Sequence, residues 1–453
     1  MAKTLIKDKV FLSTLFTLSL PIAFQNLINT TLNALDNIMI GSLGSEVIAA
    51  VGFANQIFLV LSTLLFGVCT GCCIFISQFY GKKDYDNLKR SIALNLVGTL
   101  SIAVIFTALA LFAPAWLIGL FTHDGQVISY GSQYMRLIAI SYIPMALSFT
   151  YSSAMRAVGK SQIPLYISIL SLFINAFFNY VFIFGKFGIA PMGVRGAAIG
   201  TIIARGVELI LNLTITYGKL PVIQVHFNHI TSVTYVFLKR FVKITLPVIL
   251  NEGVWSVGIA IYSAIFGRLS TDAVAAMNIT KVLENMMMVF LMGMGSAAGI
   301  MIGQKIGAND EKTAIQYSHT FTLLIPIISL IFCAIMLLIR PVFLSFYNID
   351  PEIKQLTYEL IAISTLVIPF KGFNYVHIVG SMRSGGDTIV SLLVDGFGVW
   401  GISIPLMLIT GIWLHLDVRI VYFCSLCEEF VKCIIVFFRI KSNKWIKNLV
   451  HDM

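Results

Sequence analysis

The amino-acid sequence predicts an all-α integral membrane protein with twelve transmembrane helices in two pseudo-symmetric six-helix lobes. Hydrophobic residues make up 58% of the 453 positions and charged residues only 11%, whereas soluble domains carry roughly one quarter charged residues. Apolar stretches of about 20 residues, long enough to cross a bilayer as helices, recur along the whole chain. The first half also aligns with the second half, which indicates a duplication. These three observations together predict the fold class.

Short polar breaks separate the apolar stretches and place twelve spans. They lie near 12–38, 47–78, 91–114, 127–150, 162–184, 192–217, 239–266, 273–302, 314–339, 355–380, 388–412 and 416–438. Backbone polar groups cannot stay unpaired in hydrocarbon, and the stretches lack the alternation of barrel strands, so each should be a helix. The first stretch is long, contains Pro21 and lacks a cleavage motif. We therefore expect a retained span rather than a signal peptide.

The basic residues are distributed unevenly between the loops on the two sides of the membrane. With the amino terminus inside, twenty of the 31 Lys and Arg residues fall in inner loops and six in outer loops. Cytoplasmic loops are the ones enriched in Lys and Arg, so both termini of this multi-pass protein should be cytoplasmic, and we expect it in the plasma (inner) membrane. The same asymmetry accounts for the net charge of +10, which leaves no need for a nucleic-acid partner.

The duplication is visible as a constant offset between the two halves. Residues 11–84 align without a gap onto residues 237–310 at an offset of 226, which later becomes 227. Matched pairs include Leu20-Pro21 with Leu246-Pro247, Gln78 with Gln304, Gly81 with Gly307, Asp84 with Asp310, and Arg156 with Arg383. Each half contains six spans, an even number, so both copies should have the same orientation with a substrate cavity between them.

The duplication also predicts the domain organisation. We expect an N-terminal six-helix lobe over 1–217, a cytoplasmic connector over 218–238, and a C-terminal six-helix lobe with a basic cytoplasmic tail over 239–453.

The seven cysteines lie in or beside apolar helices. Cys69 with Cys72 and Cys424 with Cys427 have CxxC spacing. On a lipid-embedded helix this spacing is more typical of small packing residues than of a metal or redox site. We expect neither a metal nor a disulfide.

A polar stripe on the first span is the leading candidate site. A carboxylate in the membrane interior is costly and persists only where it faces protein or a watery cavity. At 100° per residue, the side chains of Gln25, Asn29, Asn33 and Asp36 fall within an arc of about 80°. The stripe should therefore face the interior of its lobe, where Asp36 could bind a cation or cycle a proton. Alternatively, Asp36 could cap the outer end of its helix.

Two further positions could take part in ion coupling. Asn175 and Asn179 lie one turn apart on the fifth span and are natural partners for whatever Asp36 holds, although they could equally be interhelical hydrogen-bonding residues. Glu252 follows Pro247 by five residues, where the proline should bend the seventh span. An acid beside such a bend is a second candidate for coupling.

Charged residues in the last spans are expected to form pairs. Lys371 in span ten and Asp395 in span eleven carry opposite charges, and a paired charge is tolerated where an isolated one would be neutralised. We expect these two to pair, for function or for structure. The other charged residues in spans are expected to reach an interface or a neighbouring helix: Glu208, Glu284, Glu428, Glu429 and Lys432. Lys432 also follows Glu428 and Glu429 at the spacing of an ordinary intrahelical ion pair. The predicted substrate cavity is lined by Gln25, Asn29, Asn33, Asn251, Trp255, Lys371, Asn374 and Asp395.

Several motifs taken together resemble the multidrug and toxic compound extrusion (MATE) family. They are Leu20-Pro21, Asp36-Asn-Ile-Met-Ile-Gly41, Gln78-Phe-Tyr-Gly81, Asn175-Ala-Phe-Phe-Asn-Tyr180, Gly193-Val-Arg-Gly-Ala-Ala198 and Met382-Arg-Ser-Gly-Gly-Asp-Thr388. The resemblance covers both halves. It implies two six-helix lobes that export organic, often cationic, compounds in exchange for protons or sodium ions, and it favours a functional role for Asp36.

Two positions depart from the family pattern. Gly372 stands where the best-known branch carries an acid in the tenth span, and Asn179 stands where the archaeal-type branch carries Asp. The resemblance therefore leaves open whether H⁺ or Na⁺ is the coupling ion.

Two other classes of protein compete with this interpretation. A lipid-linked oligosaccharide flippase of the related superfamily would usually carry more basic residues in its cavity, whereas this chain offers mainly acids and amides. A membrane-embedded enzyme would need a catalytic constellation, and the sequence contains neither one nor a GxxxxGK[ST] loop for ATP. We expect a monomeric secondary transporter without a cofactor, whose partners are small organic substrates and membrane lipids.

Overall fold

The structure, a computed structural model, describes residues 8–41, 45–347 and 349–451, and within them all side chains except those of residues 33, 34, 37, 38, 41 and 45. These residues form twelve long helices. They are α1 (Lys9–Gly41), α2 (Ser45–Lys82), α3 (Tyr85–Phe112), α4 (Gly125–Ala157), α5 (Gln162–Phe184), α6 (Val194–Lys219), α7 (Tyr235–Leu269), α8 (Thr271–Gly307), α9 (Glu311–Ser345), α10 (Pro351–Met382), α11 (Thr388–Trp413) and α12 (Val418–Lys441).

Several helices contain irregular turns, and short helices occur between the long ones. A 3₁₀ turn interrupts α4 at Ala139–Ser141, and α10 ends in the π-helical segment Val376–Met382. Further π-helical segments in α11 cover Phe397–Ser403 and Leu408–Trp413. The short helices are Pro114–Gly119, Pro221–Ile223 and Phe227–Thr231.

The helices have the length and composition of membrane spans. Of the described helices, the eleven from α1 to α11 each contain a stretch long and apolar enough to cross a bilayer. The remaining helix, α12, is 24 residues long but carries Glu428, Glu429 and Lys432 near its middle. The protein is therefore a multi-pass membrane protein, and the predicted all-α fold with twelve spans in two lobes is confirmed.

The chain forms two compact units. The N-unit contains Phe24–Ile76 and Asp84–Phe241, and the C-unit contains the chain up to Ala23, Ser77–Lys83 and the chain from Val242 onward. Both α1 and α2 thus contribute to each unit. The lobe boundaries at 217 and 239 stay a prediction from the duplication.

Each unit has its own apolar core. In the C-unit the core surrounds α8, where Leu291 packs in one cluster with Phe11 of α1 and Phe321 of α9. In the N-unit a core joins Leu61 of α2 to Tyr142 of α4. The polar side chains discussed below are buried beside these cores, so each of them needs a partner.

Helix capping repeats between the halves of the chain. The side chain of Asp84 precedes α3 and accepts a hydrogen bond from the backbone N–H of Asn87, while Asp310 precedes α9 and accepts from the N–H of Thr313. A carboxylate at this position satisfies an N–H group that has no partner within the helix. The two aspartates are a matched pair of the sequence alignment, so the duplication extends to local backbone structure.

Two glycines related by the duplication allow a close backbone crossing in the C-unit. A Cβ on Gly81 would lie 1.9 Å from the carbonyl oxygen of Gln304, and a Cβ on Gly307 would lie 1.8 Å from that of Gln78. No side chain fits at such distances. The ends of α2 and α8 can therefore approach this closely only because both positions are glycine.

The segment after α12 folds back onto the C-unit. Trp445 is fully buried, and Lys447 forms an ion pair with the buried Asp387 at 2.8 Å. The backbone N–H of Leu449 donates to Oε1 of Gln78 at 2.9 Å. A buried ring, an ion pair and a hydrogen bond thus fasten the tail to the end of α2.

Candidate functional site

In the N-unit, Asp36 is hydrogen-bonded to a chain of amides. Nδ2 of Asn179 donates to Oδ1 of Asp36 at 2.5 Å and to Oδ1 of Asn175 at 3.1 Å. Nδ2 of Asn175 in turn donates to Oγ1 of Thr201 at 3.2 Å. The chain joins α1, α5 and α6, so the carboxylate of Asp36 contacts a neighbouring helix. The expected proximity of Asn175 and Asn179 to Asp36 is confirmed.

One oxygen in this site has no hydrogen-bond partner. Oδ1 of Asn179 is buried and unpartnered among the described residues. A Cβ on Gly200 would lie 2.2 Å from this oxygen, so the backbone of α6 passes directly beside it. A carboxylate next to an unpartnered amide oxygen offers the oxygen ligands that hard cations prefer, and it also offers acceptors for a proton.

The ion pair between Arg205 and Glu208 does not neutralise the charge of Asp36. Arg205 lies within electrostatic reach of Asp36, but its Nη1 pairs with Oε2 of Glu208 at 2.7 Å. Both side chains of that pair are buried, and both lie on α6. Because the guanidinium is already balanced, a proton or a monovalent cation at Asp36 would bring this site to neutrality.

Part of the remaining polar stripe on α1 is hydrogen-bonded. Gln25 is buried, and its Nε2 donates to Oγ of Ser168 at 3.1 Å while its Oε1 accepts from Nη1 of Arg156 at 2.8 Å. Asn29 is half-buried. The predicted cavity residue Asn33 has a side chain outside the described residues.

The C-unit contains a charged version of the same arrangement. Nη1 of Arg383 donates to Oε1 of Glu252 at 2.7 Å, and Nδ2 of Asn251 donates to Oδ2 of Asp395 at 2.9 Å. In the N-unit, one residue, Gln25, makes both equivalent contacts. In the C-unit two adjacent residues, Asn251 and Glu252, each make one of these contacts. The arginine there pairs with a carboxylate, whereas Arg156 donates to the neutral amide of Gln25.

The expected pairing of Lys371 with Asp395 is wrong. Nζ of Lys371 instead pairs with Oε1 of Glu284 at 2.5 Å, and Oγ of Ser364 donates to the other oxygen of that carboxylate at 2.6 Å. Asp395 lies 3.7 Å from Nζ of Lys432. The physical reason is the rotation of the helices: α10 presents Lys371 to α8, whereas Asp395 on α11 faces α12.

Lys432 has its expected partners on α12. Its Nζ lies 3.2 Å from Oε1 of Glu429 and 3.6 Å from Oε2 of Glu428. Nδ2 of Asn374 donates to the backbone oxygen and to Oε2 of Glu429, both at 2.8 Å. Among the predicted cavity residues whose side chains the structure describes, Trp255 is the most exposed, at 46%.

A family model identifies the chain. The MatE model matches residues 21–181 and again residues 247–409, which together make up more than half of the chain. The chain belongs to the MATE family of transporters. Because the same model matches once in each half, it also supports the duplication that the sequence alignment indicates.

Two relatives match nearly the whole chain. The uncharacterized transporter YisQ of Bacillus subtilis (strain 168) is 24% identical over 97% of this chain and 96% of its own length. The probable multidrug resistance protein NorM of Thermotoga maritima is 23% identical over 96% of this chain and 93% of its own length.

Solved MATE structures have the same fold. A mutant of the Vibrio cholerae MATE transporter VcmN superposes with a TM-score of 0.87 at 19% identity and covers 97% of this chain and 98% of that one. An outward-facing multidrug resistance MATE family transporter gives a TM-score of 0.85 at 19% identity, covering 95% and 96% of the two chains.

Sequence reasoning missed part of the polar network of this MATE protein. Lys432, Asp395, Asn251 and Asn374 come from four helices, yet they form one buried group with Glu428 and Glu429. The signal that could have revealed the group is the presence of three charged residues near the middle of α12, otherwise an apolar span.

Proposed function

We propose that this MATE transporter is a secondary active multidrug efflux protein that exports small organic, often cationic, compounds by antiport with H⁺ or Na⁺. The observation that carries the proposal is the half-buried carboxylate of Asp36 among the amides of Asn175 and Asn179, with its charge uncompensated. The similarity to the probable multidrug resistance protein NorM of Thermotoga maritima supports the substrate class.

Ion binding at Asp36 would couple to movement of α1. The ionised carboxylate accepts the N–H of Asn179, which joins α1 to α5. A proton or cation on Asp36 removes the negative charge that strengthens this hydrogen bond. An ion can shift a conformational equilibrium only by its difference in affinity between the states. Pro21 supports such a movement because it removes a backbone hydrogen bond from α1.

The remaining features of the proposal follow from the sequence. We place the transporter in the plasma (inner) membrane as a monomer with both termini in the cytoplasm, in keeping with its basic inner loops. Its partners are its organic substrates and the surrounding lipids, and it needs the coupling ion but no organic cofactor.

Efflux from vesicles tests the proposal. Ethidium export is measured with an imposed proton gradient or sodium gradient for wild type, Asp36→Asn and Glu252→Gln. Asp86→Asn, which removes an exposed carboxylate at the start of α3, is the matched control. We expect one gradient to drive export in wild type and in the control, and Asp36→Asn to lose the gradient-driven part.

Two results would contradict the proposal. If neither gradient drives export of an organic cation, drug efflux is wrong and a lipid-linked oligosaccharide flippase becomes the better explanation. Should both site variants retain full coupled transport, the assignment of the coupling residues is wrong.

A further inference from the structure

A second group of charges, largely buried, lies in the C-unit. Nζ of Lys432 lies 3.2 Å from Glu429, 3.6 Å from Glu428 and 3.7 Å from Asp395. The side chain of Lys432 is 5% exposed, that of Glu428 6% and that of Asp395 16%. One ammonium group thus faces three largely buried carboxylates.

Other charged side chains nearby do not balance this excess of negative charge. Lys371 on α10 is already paired with Glu284 on α8 at 2.5 Å, and Lys281 lies within electrostatic reach of that pair. The described charges of this group, from α8, α10, α11 and α12, are the lysines Lys281, Lys371 and Lys432 and the carboxylates Glu284, Asp395, Glu428 and Glu429. With every group ionised the sum is one negative charge, which is unfavourable in a buried environment.

Unpartnered acceptor atoms point to what is missing. Oδ1 of Asn251, Oδ1 of Asn374 and Oε2 of Glu428 are buried without a hydrogen-bond partner among the described residues, on side chains that are each more than nine-tenths buried. The amide groups of both asparagines contact the group, because their Nδ2 atoms donate to Asp395 and Glu429. These acceptors therefore lie in or beside the group without a donor. Tyr262 of α7 also faces Glu428 and Lys432, and its buried hydroxyl has no hydrogen-bond partner among the described residues. A carboxyl O–H would add a donor to the group.

We infer that Glu428 is a second protonation site of this transporter, which holds one proton and brings the charge of the group to zero. Glu429 accepts hydrogen bonds from Lys432 and Asn374, and Asp395 accepts one from Asn251 and is more exposed. Glu428 is the most buried of the three carboxylates beside Lys432, and its Oε2 lacks a donor. The proton therefore goes to Glu428.

A proton fits this group better than a metal ion does. The ammonium group of Lys432 lies within 3.7 Å of all three carboxylates and so takes the position that a metal ion would need. In the described part of the chain, no three or more His, Cys, Asp or Glu side chains form a group that could hold a metal ion. The consequence for transport rests on the proposed function: a proton at Glu428 would be exchanged in addition to the ion at Asp36.

Infrared spectroscopy of the purified full-length protein in nanodiscs tests the inference without any transport. The C=O stretching band of protonated carboxyl groups is followed through a pH titration in wild type, Asp36→Asn, Glu428→Gln and the double variant. Glu352→Gln, which removes an exposed carboxylate in the first turn of α10, is the matched control. We expect Asp36→Asn to retain a protonated carboxyl band and the double variant to lose it.

Two outcomes would overturn the inference. In the first, adding Glu428→Gln to Asp36→Asn leaves the protonated carboxyl band unchanged. In the second, sodium ions remove the band of Asp36→Asn at constant pH. Glu428→Gln mimics the neutral form and should fold, which thermal unfolding checks.

A second pair of variants tests the charge count: Lys432→Met should lower the Tm, and adding Glu429→Gln should restore most of the loss. Failure of ethidium export with an intact band would contradict the proposed function alone.

Discussion

A single glycine allows the Asp36 site to exist. Gly200→Ala would place a Cβ 2.2 Å from Oδ1 of Asn179, so the amide must move and release Asp36. Overpacking of this kind costs about 1–3 kcal/mol. We expect gradient-driven export to fall about tenfold or more because the displaced amide no longer holds Asp36; a tenfold loss corresponds to a barrier raised by ~1.4 kcal/mol. Vesicle efflux assays measure the effect.

The control for this substitution lies on the same helix. Gly206 has open space where its Cβ would be, so Gly206→Ala should export at close to the wild-type rate. Equal losses in Gly200→Ala and Gly206→Ala would show that the helix, and not the contact with Asn179, is sensitive to substitution.

The ion pair between Lys371 and Glu284 should behave as a coupled unit. Removing either partner leaves an uncompensated buried charge, which costs about 3–5 kcal/mol. We expect Lys371→Met and Glu284→Gln each to lower the Tm, and the double variant to recover most of the loss. The coupling between Lys371→Met and Asp395→Asn should be smaller than that between Lys371→Met and Glu284→Gln, because only Lys371 and Glu284 are in direct contact. A double-mutant cycle by thermal unfolding measures both couplings, and a larger coupling to Asp395 would contradict the structure.

These residues show what a sequence can reveal about a buried site. The contact between Asp36 and Asn179 was predictable because few polar residues compete for it on α1 and α5. The partner of Lys371 was not predictable, because carboxylates on α8, α11 and α12 are all available to it. A sequence gives the position of each residue along its helix, whereas the order and rotation of the helices select the partner.

At the scale of whole helices, the crossing of α2 and α8 depends on two glycines. A Cβ on Gly81 or Gly307 would lie within 2 Å of a carbonyl oxygen of the other helix, so the helices must separate. We expect Gly81→Ala and Gly307→Ala each to destabilise the protein by at least 1–3 kcal/mol, the usual cost of overpacking, estimated roughly. Thermal unfolding measures the change.

Gly52 supplies the matched control for this crossing, since it also lies on α2 but has open space around its Cβ position. Gly52→Ala should leave the Tm unchanged or slightly raised, because alanine favours helix more than glycine does. The alignment of Gly81 with Gly307 was visible in the sequence. The close approach of each glycine to the other helix was not visible, because an alignment does not show which repeated segments are in contact.

The tail after α12 should contribute strongly to the stability of the C-unit. Trp445 is fully buried, whereas Trp413 at the end of α11 is 76% exposed. Truncating a buried Trp typically costs about 3–5 kcal/mol. Trp445→Ala should therefore lower the Tm markedly and Trp413→Ala should not, as thermal unfolding in detergent would show. Similar effects of the two substitutions would mean that the tail is not held as described. The sequence predicted only a basic tail here, because the four apolar residues Trp445, Ile446, Leu449 and Val450 are too few to indicate docking.

For the molecule as a whole, the two halves have the same helices but different charges at matched positions. Arg156 donates to the neutral Gln25, and its counterpart Arg383 donates to the ionised Glu252. The duplication predicted the shared helices, since it reflects spacing and apolar pattern. It could not predict how the two polar centres diverged, because single substitutions change charge without changing the fold.

This divergence leads to a prediction for the transporter as a whole. In Glu252→Gln the C-unit acquires the neutral contact that the N-unit already uses, so Arg383 keeps an acceptor and the fold should survive. If Glu252 takes part in coupling, gradient-driven export should fall at least tenfold while the Tm changes little. Gln25→Glu is the converse control, because it adds a carboxylate beside Arg156 without removing Glu252. Full coupled export by Glu252→Gln would show that its ion pair with Arg383 is structural, and that coupling depends on the N-unit or on Glu428.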